Sequence, residues 1–466
     1  MPDTLHTDIA VIGAGTAGTS AFHEIRRAGH SALLIDHGPL GTTCARAGCM
    51  PSKAVLHAAH RWSVLRDFLG RQPAPSSASA DALWREALAL RDTLADGAAK
   101  RTREAAGDAL LLGSARFVAP DALDVDGRRV RARAFVVATG SRPVVPPFLR
   151  ELGAAVLTTD SLFQRDRLPR SVGIVGAGAV GLEMAVALSR LGVRVVAADR
   201  KDAPAGIADP AIGQRAAQRF REEFTLWLGQ PVQVEADPSG AAIRCGADSE
   251  LVEVVLAALG REPNVHGLDL AASGATTDAQ GRFAADPATL RLPGSSLFLA
   301  GDVHPDRPLM HEAADEGVIA ARGALSLLDG QPARVPARRT PLGIVFTDPD
   351  ICNVGMSFDR LDPESTVIGT AEGSGNGRSR ILHAESSLVR VYARRGDGLL
   401  LGAALMAVHG EHLAHLLAWA VQRGETARSL LEMPYYHPVV EEMLQSALKD
   451  AARQLDTDTD TARGNR

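Results

Sequence analysis

Cys44 and Cys49 stand five positions apart in the run Gly41-Thr42-Thr43-Cys44-Ala45-Arg46-Ala47-Gly48-Cys49-Met50-Pro51-Ser52-Lys53. Two thiols at that spacing can exchange a pair of electrons only if the backbone between them bends. On a regular helix, residues five apart rise about 7.5 Å and diverge by about 140°, beyond the roughly 7 Å between Cα atoms that a disulfide allows. Gly48 and Pro51 are the residue types that permit a non-standard turn into a helix start. A thiol entering a helix there is favoured as the thiolate, which makes Cys49 the candidate nucleophile or electron donor. The chain has only four cysteines. Cys245 and Cys352 are isolated in sequence and read as buried bystanders. No further ligands flank the pair as a metal site would need.

Such a pair needs a redox cofactor beside it, and the preceding residues have the pattern to hold one. An apolar strand at 8–12 enters Gly13-Ala14-Gly15-Thr16-Ala17-Gly18, followed by a helical stretch and a second strand at 31–35 ending in Asp36. This is a βαβ unit with the dinucleotide fingerprint. Its glycines let a diphosphate approach a helix N-terminus, and its acid can hold ribose hydroxyls. The same grammar recurs in a strand at 171–175, Gly176-Ala177-Gly178-Ala179-Val180-Gly181, and a strand at 193–198 ending in Asp199; Gly13 to Asp36 and Gly176 to Asp199 both span 23 positions. Two dinucleotide sites in one chain can pass a hydride between them.

Between the two units, residues 72–79 read as a loop and 80–107 as helix. Residues 122–130 alternate, 134–138 form an apolar strand into Thr139-Gly140, and the turn-rich 141–147 reads as a crossover. A strand at 296–300 closes on Gly301-Asp302, whose carboxylate can accept a hydrogen bond from a cofactor's ribityl chain. Beyond about residue 339 the character changes to α+β, with strands at 343–346 and 388–392, a helix at 411–423 and a terminal helix after Pro438. The tail 456–466, rich in Asp and Thr, is predicted to be disordered.

A chain of 466 residues with 45% hydrophobic and 23% charged residues reads as a soluble protein of about three domains. A net charge of -5 gives no basic footprint for nucleic acid. The N-terminus shows no basic export signal, and no uninterrupted apolar run reaches about 18 residues, so membrane spans are not expected and the cytoplasm is. In that reducing compartment a close cysteine pair points to catalysis. His409, His412 and His415 recur at three-residue steps, which fan around a helix, and read as structural, with no metal.

The cysteine run, both glycine turns, Ala138-Thr139-Gly140, Leu259-Gly260-Arg261-Glu262-Pro263-Asn264 and Ala300-Gly301-Asp302 stand in an order that resembles the flavoprotein disulfide reductases. Within that class I pyridine nucleotide-disulfide oxidoreductase family, three further runs resemble the dihydrolipoamide dehydrogenases: Val345-Phe346-Thr347-Asp348-Pro349, His311-Glu312-Ala313-Ala314-Asp315-Glu316-Gly317 and Tyr436-His437-Pro438-Val439-Val440-Glu441-Glu442. The resemblance extends from about residue 8 to residue 455. It implies an α/β fold with two Rossmann-like FAD and NAD(P) domains plus a C-terminal α+β dimerisation domain. The expected boundaries are 1–145 and 269–335 for FAD, 146–268 for NAD(P), 340–455 for the interface domain and 456–466 for the tail.

Carried over by position, the resemblance makes Cys49 the thiol facing the flavin in a charge-transfer contact and Cys44 the thiol that exchanges with substrate. Lys53, one of four lysines in an arginine-rich chain, would sit at the flavin's redox-active edge, paired with Glu183. FAD would lie on Gly13, Gly15, Gly18 and Asp36, with Thr43, Lys53, Thr139, Gly140, Asp302 and Met310 completing its site. The nicotinamide nucleotide would lie on Gly176, Gly178, Gly181, Asp199 and Gly260. His437 has its own rationale, since a neutral imidazole can take a thiol proton and return it. Helical spacing makes Glu441 its partner, whereas the family pattern points to Glu442. The family's histidine reaches the cysteines of the opposite subunit, which implies a homodimer.

Some positions depart from the family. Thr42 stands where glycine is frequent, Val439 and Val440 replace Thr and Leu, and Asp36 and Asp199 are one methylene shorter than the usual glutamates. Asp199 favours NAD by repelling a 2′-phosphate, while Arg200 and Lys201 leave NADP open. The expected activity is oxidation of a dihydrolipoyl dithiol by NAD, with the lipoyl group arriving on another protein. The alternatives are an NAD(P)H-driven reductase of another small disulfide and a non-catalytic flavin-binding protein.

Overall fold

The computed structural model describes residues 4–68, 77–277, 283–304 and 306–464. The chain forms two compact units, Met1–Ala54 with Glu86–Val144 and Gly260–Arg338, and Val55–Arg85 with Val145–Leu259 and Arg339–Arg466.

The first unit is built on a seven-stranded sheet. Its central strand, Leu5–Ile12, lies parallel to Ala32–Asp36 on one side and to Arg128–Val137 on the other. Ile9, Ala10, Val11 and Ile12 are all buried, as befits a strand covered on both faces. One face packs against Ala21, Phe22 and Ile25 of the Thr16–Arg27 helix and Ile319 and Ala320 of the Met310–Leu328 helix. The other holds Phe117 edge-on to Phe135 at 5.1 Å, with Leu292 and Leu299. The two helices touch through glycine: a Cβ on Gly317 would come within 2.2 Å of the Ala17 carbonyl oxygen. The alternation over 122–130 resolves into a hairpin of Ala122–Val125 with Arg128–Val137, turned at Asp126 and Gly127, both at positive φ. Asp-Gly is a dipeptide that favours this turn.

In the second unit a five-stranded sheet places Ser171–Val175 between Arg194–Asp199 and Val254–Ala257, all parallel. The Ala179–Arg190 helix is buried along most of its length. A separate five-stranded antiparallel sheet follows from residue 342 to 407. It is covered by Gly410–Arg423 and Glu442–Gly464, whose Leu413, Leu417, Met443 and Leu448 pack on Val389, Val391 and Leu405.

Of the expected loop, residues 72–76 lie outside the described residues, and helix begins at Ser77. The terminal helix continues to Gly464, which corrects the expectation of disorder from Asp456. Extending a helix already anchored by packing costs far less than nucleating one, and Asp456 pairs with Arg428. Among the described residues no helix is long and apolar enough to cross a membrane.

Candidate active site

The cysteines sit on two helices joined at a single glycine. Thr42 caps the short Thr43–Ala47 helix, its Oγ1 accepting from Ala45 N at 3.1 Å. Gly48 breaks the helix and Cys49 begins the next, Cys49–Phe68. A Cβ on Gly48 would lie 3.2 Å from Thr43 O and 3.3 Å from Cys44 Cα, so the chain folds back tightly enough to bring the sulfurs together. Both residues are thiols. A hydrogen bond with the Cys49 thiol and then burial hold the Cys44 thiol well above its ordinary range, against the opposing charge of Lys53. Cys49 is at a helix N-terminus, where the thiolate is favoured. The helix terminus and the raised Cys44 thiol both favour Cys49 as the first of the pair to carry a negative charge. The Ser77–Ala106 helix supports the turn, with Arg91 Nη1 donating to Arg46 O at 3.3 Å.

The first glycine turn lies in the same unit. A Cβ on Gly18 would lie 1.8 Å from Gly13 O, and one on Gly13, at φ +103°, 2.3 Å from Ala138 O. At Gly15 a Cβ would instead enter open space. The helix that follows has neither a side-chain cap nor an acid in its first turn, which leaves its N-terminal amides for an anion. These residues fit the diphosphate of FAD. Asp36 accepts from Ala14 N and Gly38 N, each at 2.6 Å. Thr43 and Met310 are exposed first residues of their helices. Thr139 Oγ1 donates to Asn264 O at 2.8 Å, Gly140 and Gly260 have positive φ, and Asp302 Oδ2 accepts from Ser141 Oγ at 2.8 Å. Lys53 Nζ lies 3.4 Å from Ser52 Oγ.

In the second unit the turn repeats. A Cβ on Gly181 would lie 1.9 Å from Gly176 O, Gly178 faces open space, and Asp199 accepts from Ala177 N at 2.7 Å and Lys201 N at 3.0 Å. The helix again starts uncapped, a cradle that fits the diphosphate of NAD(P). Glu183 on this helix is buried, and its Oε1 accepts from Phe346 N at 3.0 Å.

His437, exposed, directs Nδ1 at Glu442 Oε1 and Oε2 at 3.0 and 3.2 Å, and Val439 N donates to Glu442 Oε2 at 3.1 Å. The His437 ring and then the Val439 amide hold the Glu442 carboxyl below its usual range. Helical spacing favours Glu441, but the helix begins only at Glu442, so 437 and 441 are not one helical turn apart. Glu441 instead lines an apolar cavity of about 360 Å³ with Leu416, Leu430, Met433 and Tyr436.

Arg190, which no motif marks, is buried and bonds Glu223 at 2.8 Å and Asp348 at 3.0 Å; His60 Nδ1 meets Asp348 at 3.1 Å. The His60 ring, ahead of the Arg190 charge, holds the Asp348 carboxyl well below its usual range despite burial. His409 and His412 stack at 6.3 Å, and His415 Nδ1 donates to Glu411 O at 2.7 Å. Among the described residues no three His, Cys, Asp or Glu side chains group as a metal site. Cys245 and Cys352 are buried.

Residues 7–317 match the pyridine nucleotide-disulphide oxidoreductase family, and residues 342–448 match that family's dimerisation domain. A dihydrolipoyl dehydrogenase of Halobacterium salinarum is 30% identical, with 96% of each chain covered. A mercuric reductase of Staphylococcus aureus is 26% identical over 97% of this chain and 83% of its own. Among solved structures, the HOCl-induced flavoprotein disulfide reductase RclA of Escherichia coli, as its Cu(II) complex, superposes with a TM-score of 0.81 at 19% identity, covering 95% of this chain and 99% of that one. LpdA of Mycobacterium tuberculosis gives 0.81 at 22%, covering 96% and 99%. These last two likenesses concern the fold.

Proposed function

The chain belongs to the pyridine nucleotide-disulphide oxidoreductases, flavoproteins that use FAD and NAD(P)H, and from that premise we propose that it oxidises a dihydrolipoyl dithiol with NAD as acceptor. The observation that carries this reading is the Cys44–Cys49 pair, brought together across the tight Gly48 break with Cys49 at a helix start.

In the oxidised enzyme Cys44 and Cys49 form a disulfide. A substrate thiolate attacks Cys44 Sγ, the Cys44–Cys49 bond breaks, and Cys49 leaves as the thiolate its helix terminus favours. The second substrate thiol displaces Cys44, releasing the substrate as a disulfide and leaving the two cysteines carrying its electron pair. Protons from the substrate thiols go to His437, whose Nδ1 is held by Glu442 so that Nε2 is presented. FAD, when bound, supplies the two-electron exchange between this dithiol and the nicotinamide.

Gly13, Gly15, Gly18, Asp36, Thr43, Thr139, Gly140, Asp302 and Met310 hold FAD, with Lys53 and Glu183 in the family's roles at its edge. Gly176, Gly178, Gly181, Asp199 and Gly260 hold the nicotinamide nucleotide. The three-domain division and a homodimer in which His437 serves the partner's cysteines are part of this reading, as is a cytoplasmic site of action. The dihydrolipoyl dehydrogenase relatives support the substrate. Exposed Arg200 and Lys201 beside Asp199 favour a rival, an NAD(P)H-driven reductase of another small disulfide running the same residues in reverse. Steady-state turnover separates them: the reading expects NADH from dihydrolipoamide and NAD, and is overturned by an enzyme inert to dihydrolipoamide that oxidises NADPH with another disulfide.

A further inference from the structure

The carboxylate of Asp302 is gripped through a chain whose direction is fixed. Arg261 can only donate, and it does so twice to Ser141, from Nε to Oγ at 2.8 Å and from Nη2 to the carbonyl oxygen at 2.7 Å. A hydroxyl accepting from Arg261 has its single proton left for another partner, and Ser141 Oγ gives it to Asp302 Oδ2 at 2.8 Å. Ser141 is buried. Both residues lie on the two-stranded ribbon Ser141–Pro143 with Arg261–Pro263, where the chain leaves this unit and returns to it. Behind Asp302, Gly301 N donates to Glu316 Oε2 at 2.8 Å, and the buried Glu316 is balanced by Arg338 and by His304 Nδ1 at 3.3 Å. The turn and the carboxylate are thus set independently, one from the 310–328 helix and the other from the ribbon.

We infer that Ser141 and Arg261 are positioning residues for FAD, holding Asp302 so that Oδ1 remains the oxygen that accepts from the cofactor's ribityl chain. The inference rests on the FAD site proposed above. Removing the Ser141 hydroxyl frees the Asp302 carboxylate to rotate and takes away the acceptor of Arg261 Nε, while the bond from Nη2 to the Ser141 carbonyl remains. Removing Arg261 leaves the hydroxyl free to turn away.

The test titrates FAD into apoprotein of the full chain, following flavin fluorescence, with NAD binding measured in parallel. Ser141→Ala is expected to raise the FAD Kd about ten- to hundredfold, the range of a hydrogen bond to a charged group. Ser141→Thr, which keeps the hydroxyl, should stay within about threefold of the native protein. Arg261→Met should weaken FAD binding, and combining it with Ser141→Ala should add little, since the two act in one chain. NAD affinity should not move in any variant. An unchanged FAD Kd in both Ser141→Ala and Arg261→Met overturns the inference while leaving the FAD site standing, as does a Ser141→Thr variant as weak as Ser141→Ala. A native protein that takes up no FAD overturns the site itself.

Discussion

The two glycine turns are nearly the same object built twice. Gly13 and Gly176 have φ of 103° and 100°, and Gly15 and Gly178 start their helices with φ of -74° and -68°. The terminal acids Asp36 and Asp199 reach back to Ala14 and Ala177 at 2.6 and 2.7 Å. What differs is the surroundings. The first helix packs backbone-close against the Met310–Leu328 helix, and its turn shares a unit with the cysteine hairpin. The second carries Glu183 bonded to Phe346 and Arg190 bonded to Asp348, tying it to the C-terminal sheet region. A short local pattern therefore specifies a cradle, and tertiary neighbours decide what each cradle serves.

The strongest way to break the comparison is to fill each cradle in turn. Gly18→Val and Gly181→Val both drive side chains into a carbonyl oxygen. Gly18→Val is expected to abolish FAD retention, read from the visible spectrum of the purified protein. Gly181→Val should keep FAD and lose NAD binding. Loss of FAD from both would show that the two cradles are not independent.

How much of this the sequence disclosed follows from the range of the forces involved. The glycine turns and their acids are set by local sterics within about 25 residues, and the strands they join are legible as short apolar runs. The tight fold between Cys44 and Cys49 is equally local, because Gly48 permits it. By contrast, nothing near Ser141 announces a bond to a residue 161 positions away, and Arg190 looks like any helix-terminal cation until Asp348 arrives from the C-terminal region. Glu442 is legible only through family likeness, because spacing assumes a helix that has not yet begun at His437. The composition from Asp456 suggests disorder where the helix continues, because composition carries no information about the anchored helix upstream.

The surroundings of the second helix supply the next test. Burial, then the charges of Glu411 and Asp348, raise the Asp350 carboxyl to about 7. The native state therefore holds a proton that the unfolded chain releases near 3.8. Stability falls as pH rises between those values and is level above, with no corresponding fall in Asp350→Asn. Thermal melts from pH 5 to 8 check this: the native protein should lose stability with rising pH more steeply than Asp350→Asn up to about pH 7, and the two slopes should agree above it.

A smaller effect separates the two terminal acids. Asp199→Asn is expected to raise the ratio of NADPH to NADH efficiency about tenfold by removing a charge that repels a 2′-phosphate. Asp36→Asn should leave that ratio unchanged, as kcat/KM for both nucleotides will show. The smallest effect lies beside the first cradle, where Thr42 holds φ of 59° and ψ of 147°. Thr42→Gly relieves that strain at the loss of a helix cap and should stabilise the protein by about 1 kcal/mol, measured by chemical denaturation.

In the proposed relay the Cys49 thiolate faces a flavin while Cys44 exchanges with substrate. Anaerobic visible spectra of the holoprotein with one equivalent of dithiothreitol test it directly, alongside Cys44→Ser and Cys49→Ser. Such a relay gives a long-wavelength thiolate-to-flavin band in the reduced native protein and in Cys44→Ser, and none in Cys49→Ser. A band that survives in Cys49→Ser, or a native protein that shows none, would contradict it.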